Sequence, residues 1–343
     1  TAEALRRARA AEAAALGCVA ALVGTVDLLE PAERALVKGW IVNKFRGDPA
    51  LFAGACPLIE ARTRSPGLGV VPWLEAARRL PKEDVLGLVE ATGARGGGRL
   101  SVVVPRLPRI ANFDDLDPLA QEPGVRLRVL GLGTPLPADA DLVILPGSKA
   151  TLADLAALRA ARWHVDLGAH VRRGGAVLGL CGGYQMLGRR IADPLGLEGP
   201  AGAVEGLGLL PIETVMQPAK TVRIAAAVEL VTGEPVRGHE IHLGRTTLLP
   251  GARPMLRVRV AGGAAEHPDG AVSADRRVMG CYLHGLLAAD GFRRAFLDRL
   301  RAGTASALAY EAGVEASLDA RADHLERHLD LERLLAIARG RGT

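Results

Sequence analysis

Aromatic residues are scarce in this sequence: three Trp, three Tyr and five Phe among 343 residues, 3% in all. Its cores must therefore rest on Leu, Val, Ala and Ile, and a hydrophobic content of 49% is enough to bury them, which argues against wholesale disorder. Cysteine is as rare. Cys18, Cys56, Cys181 and Cys281 are too few for a disulfide framework in a chain of this length, and without a CxxC pair the sequence gives no support for a structural zinc site. No apolar run reaches membrane-spanning length, and the start lacks the short apolar core of a signal peptide, so the expectation is a soluble, cytoplasmic protein with no membrane partner. The net charge of +5 comes from scattered Arg residues lying beside acids on helix faces, as at Arg293, Arg294 and Asp298. Few aromatics interleave with them, which describes solvated faces and not a nucleic-acid surface. The GxxxxGK[ST] phosphate loop is also missing.

The length suggests two domains or three. Residues 1–36 carry helical spacing, broken near Gly24 and stopped near Pro31. Short buried strands are expected at 37–42, 69–74, 100–104, 125–130, 141–145 and 174–178, with helices at 150–159, 290–301 and 322–339. In the last helix Leu325, Leu329, Leu331, Leu334 and Leu335 are the expected buried residues. Residues 94–98 read as a flexible break. After residue 200, strand-like segments at 207–215, 222–230, 239–243, 255–260 and 278–283 read as a β-rich continuation of the same sheet.

The stretch around which the chain is organised is Gly179-Leu180-Cys181-Gly182-Gly183-Tyr184-Gln185. An apolar strand precedes it and a helical pattern follows, so Cys181 sits at a strand-to-helix elbow. A helix N-terminus there favours a thiolate and leaves N–H groups free for an oxyanion. Earlier, Leu145-Pro146-Gly147-Ser148-Lys149 is a strand running into a helix start, which fits the second half of an oxyanion hole. Later, His284 follows a short apolar strand and is placed to act as a base. Elsewhere the residues leave alternatives open. Asn43 and Lys44, at a strand end, can read a nucleotide base or merely form a turn. Asp114, Asp115 and Asp117 can hold Mg²⁺ or cap a helix. Glu240 and His242 share one strand face, opposite His239 and Ile241; that face is catalytic, metal-binding or simply a hydrogen-bonded surface.

The order oxyanion loop, Cys, then His matches class I glutamine amidotransferases. In detail the segments at 145–149, 179–188, 204–214, 238–246 and 282–285, with Val-Asn-Lys-Phe-Arg-Gly-Asp at 42–48 and Pro-Arg-Leu-Pro-Arg-Ile at 105–110, resemble the cobyric acid synthase family. The resemblance runs from about residue 20 to the C-terminus. It implies an α/β fold in which a class I glutamine amidotransferase-like domain, a flavodoxin-like three-layer sandwich, follows a partial P-loop-NTPase-like, dethiobiotin-synthetase-like α/β domain. The expected boundaries are 1–110 for the synthetase-like part, 111–124 for a linker and 125–343 for the amidotransferase domain with C-terminal helices. It further implies that glutamine is hydrolysed through a Cys181 thioester with His284 as base. The ammonia, with ATP and Mg²⁺ and no prosthetic group, amidates side chains b, d, e and g of adenosylcobyrinic acid a,c-diamide, a corrin. The backbone N–H of Gly182 and of Gly147 or Ser148 would stabilise the oxyanion, and Gln185 would position substrate.

The sequence departs from the family in three ways. Leu286 stands where class I enzymes place a Glu two residues after the His, leaving a Cys–His pair that Glu240 or another residue would orient. His239 and Cys281 replace a Tyr and a Thr. The family's N-terminal phosphate loop has no counterpart, which points to a truncated product, a piece of a split enzyme that needs a missing N-terminal domain or partner chain, or a relic. The alternatives are therefore a non-catalytic or partner-dependent protein on the same fold, the related a,c-diamide synthase, and an unrelated thiol hydrolase.

Overall fold

The computed structural model describes residues 16–81, 99–260 and 265–340, and the chain separates into two compact units. The break expected at 94–98 lies outside the described residues. Thr1–Leu80 and Gly313–Thr343 make the first unit, Pro81–Ala312 the second.

In the first unit, β1 (Trp40–Phe45) and β2 (Gly67–Pro72) pair in parallel. Trp40, Val42, Phe45, Phe52 and Ile59 form its core. The helix at 16–28 runs through Gly24 without a break, because one helical glycine costs only about 1 kcal/mol. Pro31 opens the next short helix rather than stopping the first, since position N1 needs no N–H. The expected C-terminal helix is two helices, Tyr310–His328 and Leu331–Ala338, the second capped by the Asp330 side chain on Arg333 N–H. Of its five leucines none is buried: four are half-buried and Leu335 is 48% exposed. Gly69, at φ +145°, lies so close to the turn between these helices that a Cβ would fall 2.1 Å from His328 O.

The second unit is built on six strands. They are β3 (Leu100–Pro105), β5 (Val125–Leu130), β6 (Leu142–Leu145), β8 (Ala176–Leu180), β17 (Ala271–Val272) and β18 (Val278–Cys281), in the order β17–β18–β8–β6–β3–β5. All but β17 run parallel. Alternate residues feed opposite cores. Val102, Val104, Ile144 and Leu178 pack with Leu119, Phe292 and Phe296 on one face; Val103, Val143, Leu145 and Val177 pack with Leu158, Trp163 and Leu167 on the other. This is the three-layer α/β sandwich that the resemblance implied. β3 lies between β5 and β6, so the segment up to residue 110 is shared between the two units, in contrast to the expected division at that point.

The later strands do not extend this sheet, apart from β17 and β18. β12 (Thr221–Glu229), β13 (Pro235–His242), β15 (Leu256–Val260), β16 (Glu266–Asp269) and β19 (Leu283–His284) form an antiparallel sheet in the order β16–β15–β12–β13–β19. β9 (Arg190–Asp193), β10 (Gly202–Glu205), β11 (Ile212–Val215) and β14 (Arg245–Leu248) form another. The reason is in the burial: β8 is buried along its whole length, as a central parallel strand must be, whereas β12 and β13 alternate between core and solvent. Arg293 also departs from its expected solvated face. It is fully buried and bonds Glu122, Asp290 and the carbonyls of Leu287 and Leu308, while Arg294 and Asp298 are exposed.

Candidate active site

The parallel strands deliver their loops to one edge, the C-terminal ends, where open α/β sheets bind ligands. β8 ends at Cys181, which takes φ +50°, ψ −108° as the chain turns into the helix Gly182–Leu187. A non-glycine residue there is strained, a frequent mark of a functional position. The turn is tight enough that a Cβ on Gly183 would sit 2.1 Å from Leu145 O, so only glycine passes. The Cys181 thiol donates to Ile241 O at 3.2 Å on β13 and lies close enough to His284 for the two groups to interact electrostatically.

The oxyanion segment is held from upstream. β7 (Gly147–Ser148) pairs antiparallel with β4 (Ile110–Ala111), and Lys149 N–H donates to Arg109 O. In such a ladder alternate residues turn their N–H groups to the partner strand. Gly147 therefore faces β4, and Ser148 N–H is the one turned away. It points at the elbow: a Cβ on Gly182 would lie 3.1 Å from Ser148 N. Of the two residues left open by the sequence, Ser148 is the one whose N–H is turned away from β4. Its hydroxyl donates to Asp154 Oδ2, and Asp154 Oδ1 accepts Arg109 N–H, which pins the loop.

His284, on β19, pairs with His239 across β13 and is buried. Its Nδ1 lies 2.6 Å from Asp115 Oδ2, and Asp115 Oδ1 accepts Gly285 N–H. Nε2 lies 2.8 Å from the Asn112 side-chain amide, either end of which can face a ring nitrogen. Burial works to lower the His284 pKa, but its hydrogen bond to Asp115 and its interaction with Cys181, together with their charges, outweigh that and push it up to about 10. The ring is thus held as an imidazolium beside the thiol. The acidic turn that followed Asn112 is a 3₁₀ turn, Phe113–Leu116, and its buried carboxylate serves the histidine. No group of three His, Cys, Asp or Glu able to hold a metal occurs among the described residues.

Glu240 does not orient His284. Alternation along β13 turns His239 toward β19's histidine and Glu240 to the opposite face, where it bonds Arg223 and His267. Burial opposes its charge, yet these two partners hold its carboxyl below the usual range. His242, on that face, stacks on Tyr282 with centroids 3.8 Å apart. Leu286, where an acid was expected after the histidine, is buried and apolar.

Gln185 reaches the pocket wall with its amide already engaged: Oε1 accepts Thr151 Oγ1–H, and Nε2 donates to Leu243 O and Tyr282 Oη. The cavity at Cys181 is about 270 Å³. Besides Cys181, Ser148 and Gln185, it is lined by Lys149, Glu198 and Lys220, which sequence reasoning had not assigned. Glu198 Oε2 accepts Leu152 N–H at 3.0 Å, and burial raises the carboxyl's pKa. Asn43 and Lys44 lie in the first unit, exposed at the end of β1, with Lys44 at φ +56°. Among the described residues no helix is long and apolar enough to cross a membrane.

Residues 101–292 match the CobB/CobQ-like glutamine amidotransferase domain. Relatives named cobyric acid synthase are 56% identical over 94% of this chain in Methylobacterium nodulans, 54% in Cereibacter sphaeroides and 53% in Paracoccus denitrificans. The chain spans about 65% of the length of each of these relatives. Among solved structures, PurLQS from Thermotoga maritima aligns at 17% identity and a TM-score of 0.42, covering 64% of this chain and 99% of that one.

Proposed function

The chain belongs to the CobB/CobQ-like glutamine amidotransferase family, and we propose that it hydrolyses glutamine at Cys181 to feed the amidation of a corrin. The observation that carries this is the Cys181 thiol, on a strained elbow, beside a buried His284 whose Nδ1 is held by Asp115. The thiolate attacks the side-chain amide carbon of glutamine. The N–H groups of Gly182 and Ser148 receive the oxyanion, preorganised for a charge that exists only in the transition state. His284 gives its proton to the leaving nitrogen, the C–N bond breaks, and ammonia departs from a thioester. Water then attacks the thioester; His284 takes its proton and passes it back to sulfur as glutamate leaves. Gln185 acts here by tying the elbow helix to β13. Glu198, Lys149 and Lys220 complement a zwitterionic amino-acid headgroup: the carboxylate takes the α-ammonium and the lysines the α-carboxylate.

The homology to cobyric acid synthases supports as ammonia acceptor the carboxylates b, d, e and g of adenosylcobyrinic acid a,c-diamide, activated by ATP with Mg²⁺. In this reading the first unit is part of the synthetase, with Asn43 and Lys44 on the nucleotide base. The described residues do not fit ATP·Mg²⁺ completely. They contain no phosphate-cradling GxxxxGK[ST] loop and no cluster of acids for the ion. The amidation step therefore needs groups beyond those described, from a missing N-terminal domain or a partner chain.

The test is ammonia release from glutamine by the purified chain, with and without ATP and corrin, beside Cys181→Ala. Turnover lost in the variant, with folding retained, is expected. Turnover that survives Cys181→Ala, or hydrolysis of peptides with glutamine ignored, would overturn the reading.

A further inference from the structure

One short turn touches both nitrogens of the histidine. Asn112 lies against Nε2 and Asp115, three residues on, holds Nδ1. The Asp115 carboxylate is fully committed: Oδ2 to the ring, Oδ1 to the N–H of Gly285, the next residue in the chain. Both side chains of the pair are less than a tenth exposed. Among the described residues no other carboxylate is placed to do this. Position 286 is leucine, Glu240 faces away, and Asp114 is exposed on the same turn. The remaining titratable groups about the ring are His239 and His242 on β13 and the Cys181 thiol.

Resting on the glutaminase reading above, we propose that Asp115 is the positioning residue of the site. It fixes the tautomer and direction of His284 and supports its charge, and it comes from 169 residues upstream of the histidine rather than from the histidine's own strand. The physical consequence is specific. A buried carboxylate on Nδ1 leaves Nε2, against which Asn112 lies, as the nitrogen that can exchange a proton, and favours the imidazolium over the neutral ring. The imidazolium in turn favours the thiolate. The same segment carries β4, which pairs with the oxyanion strand β7. One connection between β3 and β5 thus sets the base and the oxyanion donor together.

Asp115→Asn tests this, because the amide keeps an oxygen for Gly285 N–H but loses the charge. Three readouts are expected to move in a variant whose circular dichroism matches the parent. kcat for ammonia release falls by about a hundredfold or more, with KM for glutamine within about threefold. The alkaline limb of kcat/KM shifts to lower pH, since His284 loses the neighbour that raised it. Alkylation of Cys181 by iodoacetamide at pH 7, read peptide by peptide, slows about tenfold or more. Alkylation needs no glutamine, so it tests the proposal even if the parent releases no ammonia and the glutaminase reading fails. Unchanged alkylation and an unmoved limb in the folded variant would overturn the role of Asp115. Should the variant not fold, ¹⁵N NMR of the parent decides. A His284 ring that stays protonated above pH 8 supports the proposal, and one that titrates near pH 6.5 overturns it.

Discussion

Glu198 holds the start of a helix and at the same time borders the cavity at Cys181. Oε2 takes the Leu152 N–H at the start of the helix Thr151–Ala160. Replacing it with Gln keeps the size and removes the charge. A hydrogen bond to a charged group contributes about 1.5–3 kcal/mol, and each 1.4 kcal/mol is tenfold in affinity. Glu198→Gln is therefore expected to raise KM for glutamine about tenfold or more and leave kcat within about threefold, as initial-rate kinetics would show. A fall in kcat at constant KM would remove Glu198 from the headgroup role. The contrast with Cys181 is instructive about legibility. Cys181, Gln185 and the Gly147–Ser148 pair lie in local patterns, a strand, small residues and a helix start, and could be proposed without a structure. Glu198 and Asp115 could not, because each acquires its role by meeting residues distant in sequence: 46 positions separate Glu198 from Leu152, and 169 separate Asp115 from His284. Only the run of acids after Asn112 marked the Asp115 turn, and that run reads equally well as a cap or a cation site.

At the scale of elements, hydrophobic pattern located the strands of the parallel sheet, because strands buried on both faces are continuous apolar runs. It also separated the two faces of β13 correctly. Which face turns to His284 depends on the pairing of His239 with His284, and no local pattern encodes a partner strand. The helix Asp290–Leu300 fails in the same way. Arg293 beside Arg294 looks like solvent-facing charge, but the helix lays Arg293 between Phe292, Phe296 and the turn that carries Glu122. Its side chain and that of Glu122 are both wholly inaccessible, and the Ser306 hydroxyl donates to the second Glu122 oxygen. Removing one partner of such a pair leaves the other charge buried and unmatched, at a cost of about 3–5 kcal/mol. Arg293→Met is expected to lower the urea midpoint of the second unit accordingly. A loss below about 1 kcal/mol would mean that Glu122 is rescued by water or by a proton.

At the scale of the whole molecule, the residues assigned to glutamine chemistry share one unit. Asn112, Asp115, Ser148, Cys181, Glu198 and His284 all fall within Pro81–Ala312, while Asn43 and Lys44 belong to the unit made from the two chain ends. The sequence placed the amidotransferase part correctly in the C-terminal portion. The compact units divide elsewhere than the expected boundary at 110, and β3, with Leu100 and Val102–Val104 fully buried, looks in sequence like the last strand of whatever precedes it. Its partners β5 and β6 come later in the chain. The division makes a prediction about the two activities. Phe52 is completely buried in the first unit, 5.1 Å from the Phe45 ring. Truncating such a residue costs about 3–5 kcal/mol, a large fraction of the stability of a small unit. Phe52→Ala is therefore expected to collapse amide-hydrogen protection in β1 and leave it intact in β8. Ammonia release from glutamine should stay within about twofold of the parent, since no glutamine-handling residue lies in the damaged unit. ATP binding, if the reading of Asn43 and Lys44 holds, should be lost in the same variant. Hydrogen exchange read by peptide, run beside a glutaminase assay, separates the cases. Loss of both activities with protection lost only in β1 would mean that the cysteine site depends on the first unit, and the assignment of glutamine hydrolysis to Pro81–Ala312 alone would fall.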